Sequence, residues 1–298
     1  MKKGKVKKMT NSERIVSVVT DSVAQVPPEI AQQLGITVVP FTVNINGQPY
    51  QDGIDLRPTD LYRRMRQENI LPTTTAASLG QYQQAIEASL DAGAQAVLYI
   101  SLSSKLSSGY STACQAAQII RSESPDRPIV VMDSQNVTIS QGFVAIAAAR
   151  AAAAGKGLAE VQRTAEEAAR RVGFAVRLDT LEYLARGGRI GKASFMLGSL
   201  INIKPILTIQ DGEVGPVARV RGENHALQAI VDYVSRQVEG HRILHLALME
   251  ADAPDQAEQL RQLTIQQLHP AEIFHTDFTP VMGVHTGPGL IGLGYYYE

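Results

Sequence analysis

The chain has 298 residues, 44% hydrophobic and 19% charged, with a formal net charge of -1 at pH 7. That length supports one large or two ordinary domains, and the near-neutral balance gives no electrostatic pull toward nucleic acid or an anionic membrane. The single cysteine, Cys114, excludes an intramolecular disulfide and a thiolate zinc cluster, and the lack of Trp argues against stacking on single-stranded nucleic acid.

Residues 1–13 carry Lys2, Lys3, Lys5, Lys7 and Lys8 followed by a polar stretch, too polar for the apolar segment of a signal peptide. They are expected to be a solvated, disordered basic tail on a cytoplasmic protein. No apolar run reaches the ~18–20 residues of a membrane span. Ile15–Thr20, Ala96–Leu102 and Ile129–Asp133 read as buried parallel strands, each ending in polar residues. Pro28–Leu34, Thr59–Asn69, Leu79–Ala92, Ser108–Arg121 and Ile139–Ala154 read as helices, and the surroundings of Cys114 suggest a buried helical thiol. Asn46-Gly47 predicts a hairpin turn between a strand over Ile36–Ile45 and Gln48–Tyr50.

Gly155-Lys156-Gly157 breaks an alanine-rich helix from the next helical pattern, Leu158–Arg171, and the domain boundary is expected nearby. Beyond it, Phe174–Leu178, Ile203–Gln210, Glu213–Val220, Ile243–Met249, Glu272–Thr276 and Pro280–Val284 read as strands. Asn224–Val238 and Asp255–Leu268 read as helices, and the tail to Tyr297 returns as a strand. The expected architecture is α/β: an N-terminal domain over 14–165 with a mostly parallel sheet flanked by helices, and a second α/β domain over 166–298. Ligands of such sheets sit at the carboxyl ends of the strands.

Four segments carry candidate chemistry. Pro72-Thr73-Thr74-Thr75-Ala76-Ala77-Ser78 offers hydroxyls and N–H groups to an anion, although for any one of these residues a turn with a helix cap is the more ordinary reading. Ser101–Gly109 follows a strand and opens a helix, so its N–H groups favour a carboxylate or phosphate, although it matches neither a Walker A loop nor a Gly-x-Ser-x-Gly elbow. Arg186-Gly187-Gly188-Arg189 is a cationic glycine turn, with Arg186 better suited to a helix cap than Arg189. It leads into an apolar run, Phe195–Ile203, whose small residues Gly198 and Ser199 suit a helical wall against a greasy ligand. His285-Thr286-Gly287-Pro288-Gly289 follows a predicted strand. The six histidines lack metal-ligand spacing and no GxGxxG is present, so neither a metal nor a dinucleotide cofactor is expected.

These segments, with Val19-Thr20-Asp21-Ser22, Leu181-Glu182-Tyr183-Leu184 and Asn202-Ile203-Lys204-Pro205-Ile206-Leu207, resemble in order the motifs of the DegV family. The resemblance runs from about Ile15 to Tyr297 and implies two α/β domains with a ligand site at their interface. It implies a long-chain fatty acid in a buried tunnel, presented to a separate ATP-binding fatty acid kinase subunit that forms the acyl phosphate for phospholipid synthesis. On that reading the chain has no catalytic residues and no cofactor, and makes at most transient membrane contact. The carried-over carboxylate residues are Thr74, Ser107, Arg189 and His285, supported by Asp21, Ser22, Thr75, Ser108, Gly188 and Gly287. Candidates for the acyl tunnel are Phe195, Met196, Leu200 and Ile203, and Arg219 and Arg221 form a basic edge for docking the kinase. The sequence departs from the family at Thr74-Thr75-Ala76-Ala77 and Leu106-Ser107-Ser108-Gly109-Tyr110, which leaves the acting hydroxyl ambiguous among Thr73–Thr75. Two other readings stand beside it: a hydrolase or acyltransferase using Ser107 or a threonine with His285 on a lipid-like substrate, and a phosphate or nucleotide binder at Ser101–Gly109.

Overall fold

The computed structural model describes residues 15–68, 70–197, 203–241 and 244–298. The basic tail, Asn69, Gly198, Ser199, Leu200, Ile201, Asn202 and Ile243, about which the sequence makes predictions, lie outside the described residues. The chain opens with β1 (Val16–Asp21), a 3-10 turn, α1 (Pro28–Leu34), β2 (Thr37–Val39), β3 (Thr42–Ile45), β4 (Gln48–Gln51), α2 (Pro58–Gln67) and β5 (Thr73–Thr75). It continues through α3 (Leu79–Asp91), β6 (Ala96–Ser101), α4 (Gly109–Glu123), β7 (Ile129–Asp133), α5 (Thr138–Ala153) and α6 (Leu158–Ala169).

A four-stranded parallel sheet runs β2-β1-β6-β7. All six residues of β6 are buried, as expected of a strand covered on both faces. The single strand predicted over Ile36–Ile45 is broken at Pro40-Phe41. Proline has no N–H for a ladder, so Val39 ends against Asp21 in the parallel sheet and Thr42 starts a separate ribbon. That ribbon, β4-β3-β5, closes at Asn46-Gly47, whose φ angles of 52° and 82° suit the tight hairpin. The threonine run, expected as a loop, is its edge strand, with Thr74 opposite Val43.

The C-terminal half contains β8 (Val172–Arg177), α7 (Glu182–Arg186), a 3-10 helix (Gly191–Met196), β9 (Ile203–Gln210), β10 (Glu213–Arg221) and α8 (Glu223–Gln237). It ends with β11 (Leu244–Glu250), α9 (Pro254–Leu268), β12 (Glu272–Asp277), α10 (Pro280–Thr286) and β13 (Ile291–Tyr297). The six strands form a mixed sheet ordered β10-β9-β8-β13-β11-β12, the tail strand β13 inserting antiparallel to both neighbours. Alternation divides its faces. Ala175, Leu246, Leu248 and Leu293 pack with Leu227, Ile230, Val234 and Leu260 of α8 and α9, whereas Phe174, Val176, Ala247 and Tyr296 face the main core and α5. Helix α5 is buried almost throughout because it packs on β1 from one side and on β8 and β13 from the other.

Three predictions are corrected. Pro280–Val284 is the start of helix α10, with proline in the first turn where its missing N–H costs nothing; its residues are mostly buried, which erases the helical period. The run Phe195–Ile203 is not one helix: the 3-10 helix stops at Met196, and Ile203 begins β9. Cys114 is half-buried on α4, not buried.

Candidate functional site

A cavity of about 1050 Å³, counted out to its open mouth, lies where the parallel sheet, the ribbon and the mixed sheet meet. Its walls are mainly apolar: Val23, Phe41 and Leu102 from the N-terminal elements, Phe174, Val176 and Leu207 from the mixed sheet, and Phe278, Val281 and Met282 leading into and along α10. Four of its polar lining residues come from four separate segments. Thr74 comes from the edge strand β5, Ser107 from the loop before α4, Arg189 from the turn after α7, and His285 from the last turn of α10.

Their local geometry follows from the elements that hold them. His285 Nε2 and Thr74 Oγ1 are 2.8 Å apart, a bond that ties α10 to the ribbon. Burial, and then the positive charge of Arg189, push the imidazole pKa down to about 4, so the ring is neutral at pH 7. A neutral His–Thr pair holds two protons and uses one between its members; in either tautomer, one N–H or O–H proton is left over. Gly187 makes this position possible, since a Cβ there would lie 2.5 Å from His285 Nδ1. The Nδ1 atom itself has no hydrogen-bond partner among the described residues.

Arg189 is exposed and donates from Nε to Leu106 O (3.1 Å) and from Nη1 to Gly187 O (2.6 Å). Those carbonyls fix the guanidinium across the mouth without neutralising it, and no carboxylate pairs with it among the described residues. The Ser107 hydroxyl oxygen accepts from Gly109 N at 3.1 Å, at the start of the 15-residue helix α4. Ser108 precedes the helix without a side-chain cap, so the helix end adds a partial positive charge to the same rim. The site therefore offers hydroxyls, N–H groups and one unpaired cation above an apolar interior. Among the described residues, no group of three or more His, Cys, Asp or Glu is placed to hold a metal.

The family model of DegV matches residues 15–298. This chain belongs to the DegV family. A DegV domain-containing protein of Caldanaerobacter subterraneus subsp. tengcongensis is 32% identical over 278 residues, covering 93% of this chain and 97% of that protein. Among solved structures, a DegV family protein from Thermus thermophilus, described for its fatty acid binding, is 32% identical with a TM-score of 0.89, covering 96% of this chain and 100% of its own. DegV from Bacillus subtilis, a fatty acid binding protein, is 27% identical with a TM-score of 0.85 over 96% and 100% of the two chains.

In this DegV family member the remaining predicted residues separate by position. Thr75 and Ser108 lie on the cavity wall beside the four rim residues. Gly188 lies in a shallow depression just outside the mouth, shared with Ser107, Ser108 and Arg189. Gly287 sits against the ring of Tyr183, where a Cβ would come within 2.3 Å. Asp21 and Ser22 are not on the wall. Asp21 is fully buried and accepts from Leu102 N at 3.2 Å, and Ser22 Oγ accepts from Phe41 N at 3.1 Å. Both brace strand ends beneath the cavity. Burial raises the Asp21 carboxyl to about 7, against the opposing hydrogen bond from Leu102.

Of the tunnel candidates, Leu200 lies outside the described residues and the other three are not on the lining of this cavity. Phe195 is 69% exposed, and Arg219 lies over its ring at 5.3 Å. Met196 is buried and Ile203 opens β9, but neither lines the cavity. Arg186 pairs with Glu182 within α7. The residues that line this cavity escaped sequence reading because strands and loops far apart each contribute a few. The signal that was present is alternation: Phe174, Val176 and Leu178 are every second residue of one strand and its exit.

Proposed function

We propose that the protein binds one long-chain fatty acid in this cavity and presents the carboxylate to a separate ATP-binding kinase subunit, which forms the acyl phosphate. The observation that carries the reading is Arg189, paired with no acid among the described residues, set with Thr74, Ser107 and His285 on the lining of a mainly apolar cavity. A carboxylate leaving water needs donors and a counter-charge, which these groups supply. The buried chain adds about 0.8 kcal/mol per methylene, so the interior accounts for most of the affinity. The fatty acid binding of the related Thermus thermophilus and Bacillus subtilis proteins supports the same ligand class.

The kinase step rests on the openness of the mouth: a carboxylate held at the rim faces the shallow depression lined by Lys105, Ser108 and Gly188, where a partner's nucleotide has access. A hydrolase is less well supported. Ser107 Oγ is engaged with Gly109 N, and among the described residues no acid orients His285 from behind. The deciding experiment is mass spectrometry of denatured protein for a co-purified fatty acid, followed by ATP-dependent acyl phosphate formation with and without an added kinase subunit. Protein that carries no lipid and shows no thermal shift with oleate or palmitate would overturn the reading. Ser107-dependent labelling by a fluorophosphonate would replace it with the hydrolase.

A further inference from the structure

Polar groups are not confined to the rim of the cavity. Thr138 and Thr208 also line it, and they belong to α5 and β9, elements that contribute nothing to the rim. The two are not alike. The Thr208 hydroxyl is spent on Phe174 O, inside the mixed sheet. Thr138 is 2% exposed, and its Oγ1 has no hydrogen-bond partner among the described residues. A buried hydroxyl without a partner is costly, and a valine of the same shape would avoid that cost.

Thr138 is also the first residue of the 16-residue helix α5, and Val137 before it has no side-chain oxygen to cap the helix. Val137 and Thr138 both lie on the cavity wall, so the uncapped, partly positive helix start and the unpaired hydroxyl belong to one patch. The backbone there has a φ of 59°, a region that β-branched residues seldom occupy. Strain of this kind persists only where the surroundings over-determine the position.

A hydroxyl on the ligand suits this patch: either its oxygen accepts from Thr138 Oγ1, or it accepts from a first-turn N–H and donates its own hydrogen to the threonine oxygen. We infer that the cavity contains an interior polar subsite at Thr138, distinct from the rim, that receives a hydroxyl carried on the acyl chain, so that hydroxylated long-chain fatty acids belong to the ligand class. The inference rests on the fatty-acid reading above.

The test compares stearate with a set of hydroxystearate positional isomers, by calorimetric titration of the delipidated full chain and its Thr138→Val and Thr138→Ser variants. At least one isomer is expected to bind the wild type as tightly as stearate. Its affinity relative to stearate should fall about three- to tenfold in Thr138→Val, the effect of one net hydrogen bond, and recover in Thr138→Ser. A ratio unchanged in Thr138→Val, or no isomer approaching stearate in the wild type, overturns the subsite; the hydroxyl is then satisfied by an enclosed water. Should Thr138→Val not fold, a crystal structure of the wild type with the tightest isomer decides: a chain oxygen within hydrogen-bond distance of Thr138 Oγ1 supports the subsite, and one beyond it sinks the subsite. Failure of stearate itself to bind, by titration and thermal shift alike, removes the fatty-acid reading and is distinguishable from all of these.

Discussion

Arg177 and Arg189 stand at opposite extremes of how a protein treats a guanidinium. The Arg177 side chain is 3% exposed, and it pairs with Asp179 at 2.8 Å and with Glu223, while Lys204 bridges to the same two acids. Arg189 is exposed, held by two backbone carbonyls, and paired with no acid among the described residues. The first is neutralised internally and joins β8 to the start of α8. The second is oriented but left charged, so an anion from outside has a place to bind. The counter-charge, more than burial or chemistry of the side chain, separates the structural arginine from the one proposed to bind.

The largest effect is expected at Arg177. Arg177→Met leaves Asp179 and Glu223 partly solvated and still paired with Lys204, but removes the buried guanidinium and its bond to Gly289 O, and should cost about 2 kcal/mol by denaturant titration; a loss below about 0.5 kcal/mol would break the comparison. Arg189→Gln should do the reverse. Its stability is expected within about 0.5 kcal/mol of the wild type, with fatty acid affinity down about tenfold or more, as for loss of a charge-assisted bond.

Acid sensitivity sharpens the contrast between rim and scaffold. The folded state holds His285 near pKa 4, below its ordinary 6.5, so its contribution is complete above pH 6.5 and is lost as pH falls toward 4. Asp21 runs the other way: its pKa is raised to about 7 from 3.8, so its contribution is complete below 3.8 and is lost as pH rises toward 7. His285→Gln should therefore gain on the wild type as pH falls from 6.5 to 4, by on the order of 2 kcal/mol in chemical denaturation. Asp21→Asn should gain as pH rises over 4–7. Parallel pH profiles for His285→Gln and the wild type would show that the imidazole is not desolvated. The smallest effect is expected for Gly187→Ala. With φ at -74° the backbone tolerates alanine, but the new Cβ would press on His285. Loss of the Thr74 bond should weaken fatty acid binding by about fivefold to tenfold with little change in melting temperature.

Much of the fold was legible because strands such as β6 and β8 are dense in apolar residues and bounded by turn or cap chemistry. The failures share a cause. In Pro280–Thr286 nearly every residue is buried, so no period distinguishes helix from strand. In the Ile36–Ile45 segment, one proline moves the chain between two sheets, a decision made by tertiary pairing. The rim residues were legible as motifs, since each sits at an element end where hydroxyl, glycine or cation is locally conspicuous. The apolar cavity lining was not: apolarity alone sent the reading to Phe195, which the fold leaves against solvent and Arg219.

Helix α5 has a bearing on how a ligand enters. Because its alanine-rich surface is clasped by the parallel sheet on one side and by β8 and β13 on the other, the two halves of the chain share a keel rather than a hinge. Swinging them apart would strip apolar surface from both sheets at once. Opening would be cheaper through the short pieces around the mouth, a three-residue edge strand, a five-residue helix and a seven-residue helix, held across the gap by Thr74 to His285, by Arg189 Nε to Leu106 O and by Val281 N to Asp52. The bonds that position the rim are the same few that hold those pieces in place.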